Sequence, residues 1–110
     1  NHYSTVYDLS QIARLAIKNK IVTDIAKEKE ITIFDSTGQI SHSLSSTNEL
    51  LDLVPEVKGL KTGWTPEAGG CFIALLDVKG RQFISVVAQS DDRFKDTEKI
   101  LNWLKSNVIW

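Results

Sequence analysis

Leu9, Ile12, Ala13, Ala16 and Ile17 recur at helical spacing, which predicts an amphipathic helix from about 6 to 19. Thr5-Val6-Tyr7-Asp8 has the form of a capping box, with Thr5 as N-cap and the Asp8 carboxylate reaching back. A weaker helical stretch follows from Val22 to Lys29. The pattern then changes period. Ile31-Thr32-Ile33-Phe34 has the β-branched and aromatic content of a strand, Asp35-Ser36-Thr37-Gly38 the chemistry of a turn, and Gln39 to Leu44 the place of a returning strand. Gly59 to Thr65, Cys71 to Val78 and Arg81 to Ala88 read as three more strands, the last two joined by a Lys79-Gly80 turn. Ser90 is placed to cap a final helix whose apolar contacts are Phe94, Ile100, Leu101, Trp103, Leu104 and Val108.

The runs at 72–76 and 83–88 are apolar at both alternations, so both faces of their sheet require cover. Two strong helices and one weak one are a thin supply. The remaining cover is either another part of the same protein or a second copy of the chain. The expected fold class is α/β: an antiparallel sheet with 59–65, 71–78 and 81–88 adjacent, packed by helices, with the 31–34/39–44 hairpin to one side.

Composition narrows the function classes. The 110 residues include 13 basic and 14 acidic side chains, a formal net charge of -1, which argues against a nucleic-acid partner or a polybasic membrane anchor. No apolar run approaches the roughly 20 residues that span a bilayer. The chain opens Asn1-His2-Tyr3, without an initiating methionine or signal peptide, and reads as the middle of something longer. Cys71 is the single cysteine, which rules out an internal disulfide; between Gly70 and Phe72 it is expected as a buried, inert thiol. His2 and His42 are the only histidines, 40 positions apart, and offer no metal spacing, so neither metal nor cofactor is expected. Asp91-Asp92 suits a helix N-terminus, and Trp103 and Trp110 are read as helix packing and a chain end.

Lys61-Thr62-Gly63 carries the most chemistry. A strand lysine presents a fixed cation, and the adjacent threonine adds a hydroxyl donor, a pair suited to a carboxylate. The glycine beside them removes a side chain that would hold an extended ligand off the strand edge. Taken alone, the tripeptide reads more simply as an exposed strand lysine beside a turn glycine.

Its surroundings change that reading. His2 to Leu9, Thr47-Asn48-Glu49-Leu50-Leu51, Val57 to Cys71, Arg81 to Val87 and Glu98 to Trp103 stand in an order and spacing that resemble the low-molecular-mass penicillin-binding proteins, serine-type D-Ala-D-Ala carboxypeptidases of the bacterial cell wall. The similarity runs over essentially the whole chain. It implies a partial penicillin-binding-protein/β-lactamase-like transpeptidase fold, a hydrolase acting outside the cytoplasmic membrane, and as partners peptidoglycan stem peptides ending in D-Ala-D-Ala, and β-lactams. By resemblance, Lys61 and Thr62 bind the substrate carboxylate, Gly63 keeps the strand edge open, and the backbone N–H of Trp64 is one oxyanion-hole donor. Asn48 belongs to a structural stretch beneath the site, and Thr47 stands where some members carry a basic residue.

The departures limit the claim. The family nucleophile lies in a Ser-x-x-Lys motif, and none of the ten serines has a lysine three residues on. Ser46-Thr47-Asn48 matches the second motif, Ser-x-Asn, only as letters, because that motif belongs upstream of the Thr5 helix. The chain is therefore expected to be the C-terminal part of such a catalytic domain, inactive by itself, which either pairs with the N-terminal part or self-associates. A shortened, non-catalytic peptide-binding or assembly module is the alternative. A class A β-lactamase piece shares the Lys-Thr-Gly logic but fits the flanking segments less well.

Overall fold

The computed structural model describes residues 3–34 and 36–109. His2, Trp110 and Asp35 of the expected turn lie outside the described residues, as does the side chain of His42. The element order is α1 (Val6–Ala16), α2 (Lys20–Ala26), β1 (Glu30–Phe34), β2 (Ser41–Ser45), α3 (Leu50–Leu53), β3 (Val57–Thr65), β4 (Gly69–Val78), β5 (Arg81–Ser90) and α4 (Arg93–Asn107). β3, β4 and β5 form an antiparallel sheet in that order, and β1 pairs with β2 in a separate hairpin. The expected α/β architecture is thus present.

Local chemistry sets the boundaries. The Thr5 hydroxyl accepts the Asp8 N–H at 3.0 Å and starts α1; the return bond from the Asp8 carboxylate is not made among the described residues. α2 begins earlier than its apolar pattern suggested, because the Asn19 side chain accepts from the Ile21 and Val22 N–H groups and caps it. α4 is capped by Asp92 rather than by Ser90: Asp92 Oδ1 accepts the Lys95 N–H at 3.0 Å. Ser90 instead accepts the Asp92 N–H and donates to Asp96 at 2.6 Å, bracing the cap from outside. Lys79 and Gly80 both hold positive φ, 52° and 79°, as a tight two-residue hairpin between β4 and β5 requires. The short helix α3 was not expected, since four residues are too few to show a period.

Because side chains alternate across a strand, β4 divides the interior. Phe72, Ala74, Leu76 and Val78 face one way, fully buried against Leu50 and Leu51 of α3 and Leu101 of α4, with Phe94 and Leu104 packed on them. The Phe72 and Phe94 rings meet edge to face at 5.3 Å. Each such large apolar side chain contributes about 1.5–3 kcal/mol through burial. Cys71, Ile73 and Leu75 face the other way, toward α1 and α2, where cover is incomplete. Ala13 is buried, but Ile12 in the expected apolar face of α1 is 61% exposed. A cavity of about 480 Å³ lies open among Ile12, Ala16, Ile25, Leu60, Lys61 and Ile73. Two sequence expectations are corrected here. Cys71 is half-buried beside an open cavity rather than enclosed, and Trp103 is 60% exposed on the outer side of α4.

The far end of the sheet is tightly built. The β4–β5 register shifts between Gly70↔Ser90 and Phe72↔Val87, and within that bulge Gln89 holds φ 53°. Gly69, at φ 70°, comes so close that a Cβ there would lie 3.2 Å from Gln89 Cα. At Gly70 a Cβ would lie 2.8 Å from the Ser90 carbonyl oxygen. This double glycine lets β4 and β5 close behind the end of β3.

Candidate active site

β3 is the edge strand of its sheet, and among the described residues no strand pairs with its outer side. Lys61, Thr62, Gly63 and Trp64 stand opposite Ile73, Phe72, Cys71 and Gly70. By this register Lys61 and Gly63 share the face of α1 and α2, while Thr62 and Trp64 share the face of α4. The free edge runs between them, so a group seated on it is reachable from both sides.

Lys61 is exposed, and its Nζ donates to the Thr62 carbonyl oxygen at 2.7 Å. Among the described residues it has no acidic partner, in contrast to Lys20, Lys27, Lys29 and Lys105, each paired with a carboxylate. Gly63 is exposed, and a Cβ on it would meet nothing within 4 Å. Its lack of a side chain is therefore not demanded by packing inside this chain. The Trp64 ring is 62% exposed and forms no part of the core.

Two residues make contacts at this edge that the sequence did not show. Arg93, at the start of α4, reaches across to donate from Nη1 to the Gly63 carbonyl oxygen at 3.0 Å. Its guanidinium lies 4.9 Å from the Phe94 ring centroid, its Nε is buried without a hydrogen-bond partner, and no carboxylate pairs with it among the described residues. Arg93 and Gly63 are 30 residues apart, a separation at which no local pattern signals contact. The second is Thr47, whose hydroxyl lies 2.6 Å from that of Thr62. The segment before α3 thus touches the edge strand through Thr47, while Ser46 Oγ and the N–H and Oδ1 of Asn48 are bonded locally. Ser46 Oγ accepts the Asn48 N–H at 3.1 Å, and Asn48, 8% exposed, accepts the Leu50 N–H through Oδ1.

The site is therefore a bare strand edge flanked by two cations that have no acidic partner among the described residues, with a hydroxyl pair on one side. Such an arrangement suits an extended ligand carrying a carboxylate. Among the described residues it contains no serine placed as a nucleophile and no general base. The chain's architecture is that of the penicillin-binding DD-peptidases. The crystal structure of the Streptomyces K15 DD-transpeptidase superposes with a TM-score of 0.87 at 33% identity, covering 96% of this chain and 43% of that one. A penicillin-binding protein homologue from Mycobacterium tuberculosis shares the fold at TM-score 0.84 and 22% identity, with coverage of 96% and 41%.

Sequence comparison agrees. The family model described as D-alanyl-D-alanine carboxypeptidase matches residues 1–92, and the chain belongs to that family. The D-alanyl-D-alanine carboxypeptidase of Streptomyces sp. strain K15 is 33% identical over 109 residues, covering 93% of this chain and 38% of the relative. D-alanyl-D-alanine carboxypeptidase DacF of Bacillus subtilis strain 168 is 33% identical over 86 residues, 78% of this chain and 22% of the relative. The chain thus spans between about a fifth and two fifths of these relatives' length.

Proposed function

We propose that this chain is the C-terminal part of the catalytic domain of a serine D-Ala-D-Ala carboxypeptidase that trims peptidoglycan stem peptides outside the cytoplasmic membrane and is acylated by β-lactams. The observation that carries this reading is the open edge of β3, where Lys61 has no acidic partner among the described residues and Gly63 leaves room for a ligand backbone. Lys61 and Thr62 anchor the terminal carboxylate, Lys61 by charge and Thr62 by its hydroxyl. Arg93 adds positive potential from the α4 side. With the carboxylate so held, the scissile peptide bond lies along the strand, and the Trp64 N–H donates to the oxygen that becomes negative on attack. A serine from a Ser-x-x-Lys motif, which this chain lacks, attacks that carbonyl, expels D-Ala and forms an acyl-enzyme that water hydrolyses.

The open apolar side formed by α1, α2 and Ile73 supports a companion reading: it pairs with the N-terminal part of the domain or, without it, with a second copy. Among the described residues no helix is long and apolar enough to cross a membrane. Incubation with a fluorescent penicillin, followed by denaturing electrophoresis, tests the main reading. A protein in which this sequence follows in-frame Ser-x-x-Lys and Ser-x-Asn motifs is expected to label. The 110 residues alone are expected not to, and a labelled band at 12.3 kDa would sink the division of labour proposed.

A further inference from the structure

The Thr47–Thr62 hydroxyl contact has a consequence for how the strand edge handles a carboxylate. At 2.6 Å the two oxygens share one proton, and either can be the donor. A hydroxyl has a single proton. If Thr62 donates to Thr47, that proton is spent, and Thr62 turns only lone pairs toward an arriving carboxylate. If Thr47 donates to Thr62, the Thr62 proton is released to point outward. A hydroxyl that accepts one hydrogen bond is also polarised into a better donor.

Thr47 is well placed for this part because the residues that follow it are anchored in the core. The adjoining Asn48 is buried, donates its N–H to Ser46 and accepts from Leu50, and α3 buries Leu50 and Leu51 just beyond. The exposed Thr47 hydroxyl is therefore presented by a segment anchored at Asn48, Leu50 and Leu51, 15 residues from its partner in sequence.

We propose that Thr47 is a positioning residue for substrate: it donates to Thr62 and so orients the Thr62 proton toward the ligand carboxylate. This rests on the reading of Lys61 and Thr62 as the carboxylate anchor. The contrasting possibility is a latch that merely ties the loop to the strand, and the two differ in what a hydroxyl deletion does.

The test is an NMR titration of the ¹⁵N-labelled 110-residue chain with an N-acylated peptide ending in D-Ala-D-Ala, and with the same peptide as its C-terminal carboxamide. The wild type is expected to respond at residues 61–64 to the acid much more strongly than to the amide. Thr47→Val, which keeps the shape and loses the hydroxyl, should weaken acid binding by about 3- to 10-fold, the worth of one hydrogen bond, and leave the amide response unchanged. Thr47→Ser should restore the wild-type preference. Thr47→Val binding the acid as tightly as the wild type overturns the proposal. So does equal weakening toward acid and amide with a lowered melting temperature, the signature of a latch. A wild type indifferent to the carboxylate removes the anchor itself, and the role of Thr47 with it, and is distinguished by failing before any substitution is made.

Discussion

Gly70→Ala tests whether the double glycine of β4 holds the site together. The added Cβ would lie 2.8 Å from the Ser90 carbonyl oxygen and 3.3 and 3.4 Å from Cβ and Cδ of Arg93. A carbon and an oxygen settle at about 3.3–3.6 Å even in a favourable C–H···O contact, so Ser90 must retreat by roughly half an ångström or more. Retreat strains the bulge and the Ser90–Asp92–Asp96 brace at the start of α4. Overpacking of this kind costs about 1–3 kcal/mol. Displacing Arg93 also loosens its bond to the Gly63 oxygen, worth about 1 kcal/mol at an exposed position. The sum is about 2–4 kcal/mol, a large share of the roughly 5–15 kcal/mol that holds a domain folded. At about 4–8 °C per kcal/mol for a small domain, the melting temperature should fall by more than about 8 °C. Thermal unfolding followed by circular dichroism measures this, with Arg93→Ala made in both backgrounds. If the strain acts partly through Arg93, the double variant falls short of additivity by about 0.5 kcal/mol or more. Gly63→Ala is the control, since its Cβ meets nothing within 4 Å, and its stability should stay within about 0.5 kcal/mol. A Gly70→Ala variant as stable as Gly63→Ala would refute the reasoning.

Other outcomes are expected from the same geometry. Lys61→Ala in a protein carrying the upstream motifs should lower kcat/KM on a D-Ala-D-Ala peptide by about 10- to 100-fold, the loss of a charged hydrogen bond to the carboxylate; an unchanged value would remove Lys61 from the site. Phe72→Ala, at a fully buried position in the centre of the core, should destabilise by about 3–5 kcal/mol in urea unfolding. The hydrogen bond from Lys105 holds the Glu56 carboxyl below the usual carboxylate range, although partial burial opposes it. The folded state therefore binds this proton less readily than the unfolded state. The pair's stabilisation is full above the unfolded carboxylate pKa and is lost as pH falls through the lower folded value. Glu56→Gln should flatten the acid limb of the stability curve by up to about 1 kcal/mol and leave its shape near pH 8 unchanged.

Much of the fold was legible in the sequence because it is encoded locally. The period-3.6 stripe of α1, the Thr5 cap, the apolar runs of β4 and β5 and the Lys79-Gly80 turn each depend on neighbours within a few residues. The errors are also local in origin. The apolar pattern from Val22 to Lys29 carries no sign of the Asn19 cap that starts α2, and Ser90 stands two residues before the Asp92 that caps α4, a difference that only backbone direction decides. Trp103 and Cys71 were expected inside on the strength of residue type, which does not say which side of an element a neighbour will cover.

For the strand edge the division is clear. Sequence alone singled out Lys61-Thr62-Gly63 and Trp64 as the expected site residues, since a motif and its flanks are written contiguously, and the lack of a Ser-x-x-Lys motif could be read off the serines one by one. Only tertiary structure brought Arg93 to the Gly63 carbonyl and Thr47 to Thr62, across 30 and 15 residues. Those contacts depend on how α4 and the α3 segment pack against the sheet. Packing follows from the summed burial of many side chains, so no single stretch of sequence specifies it.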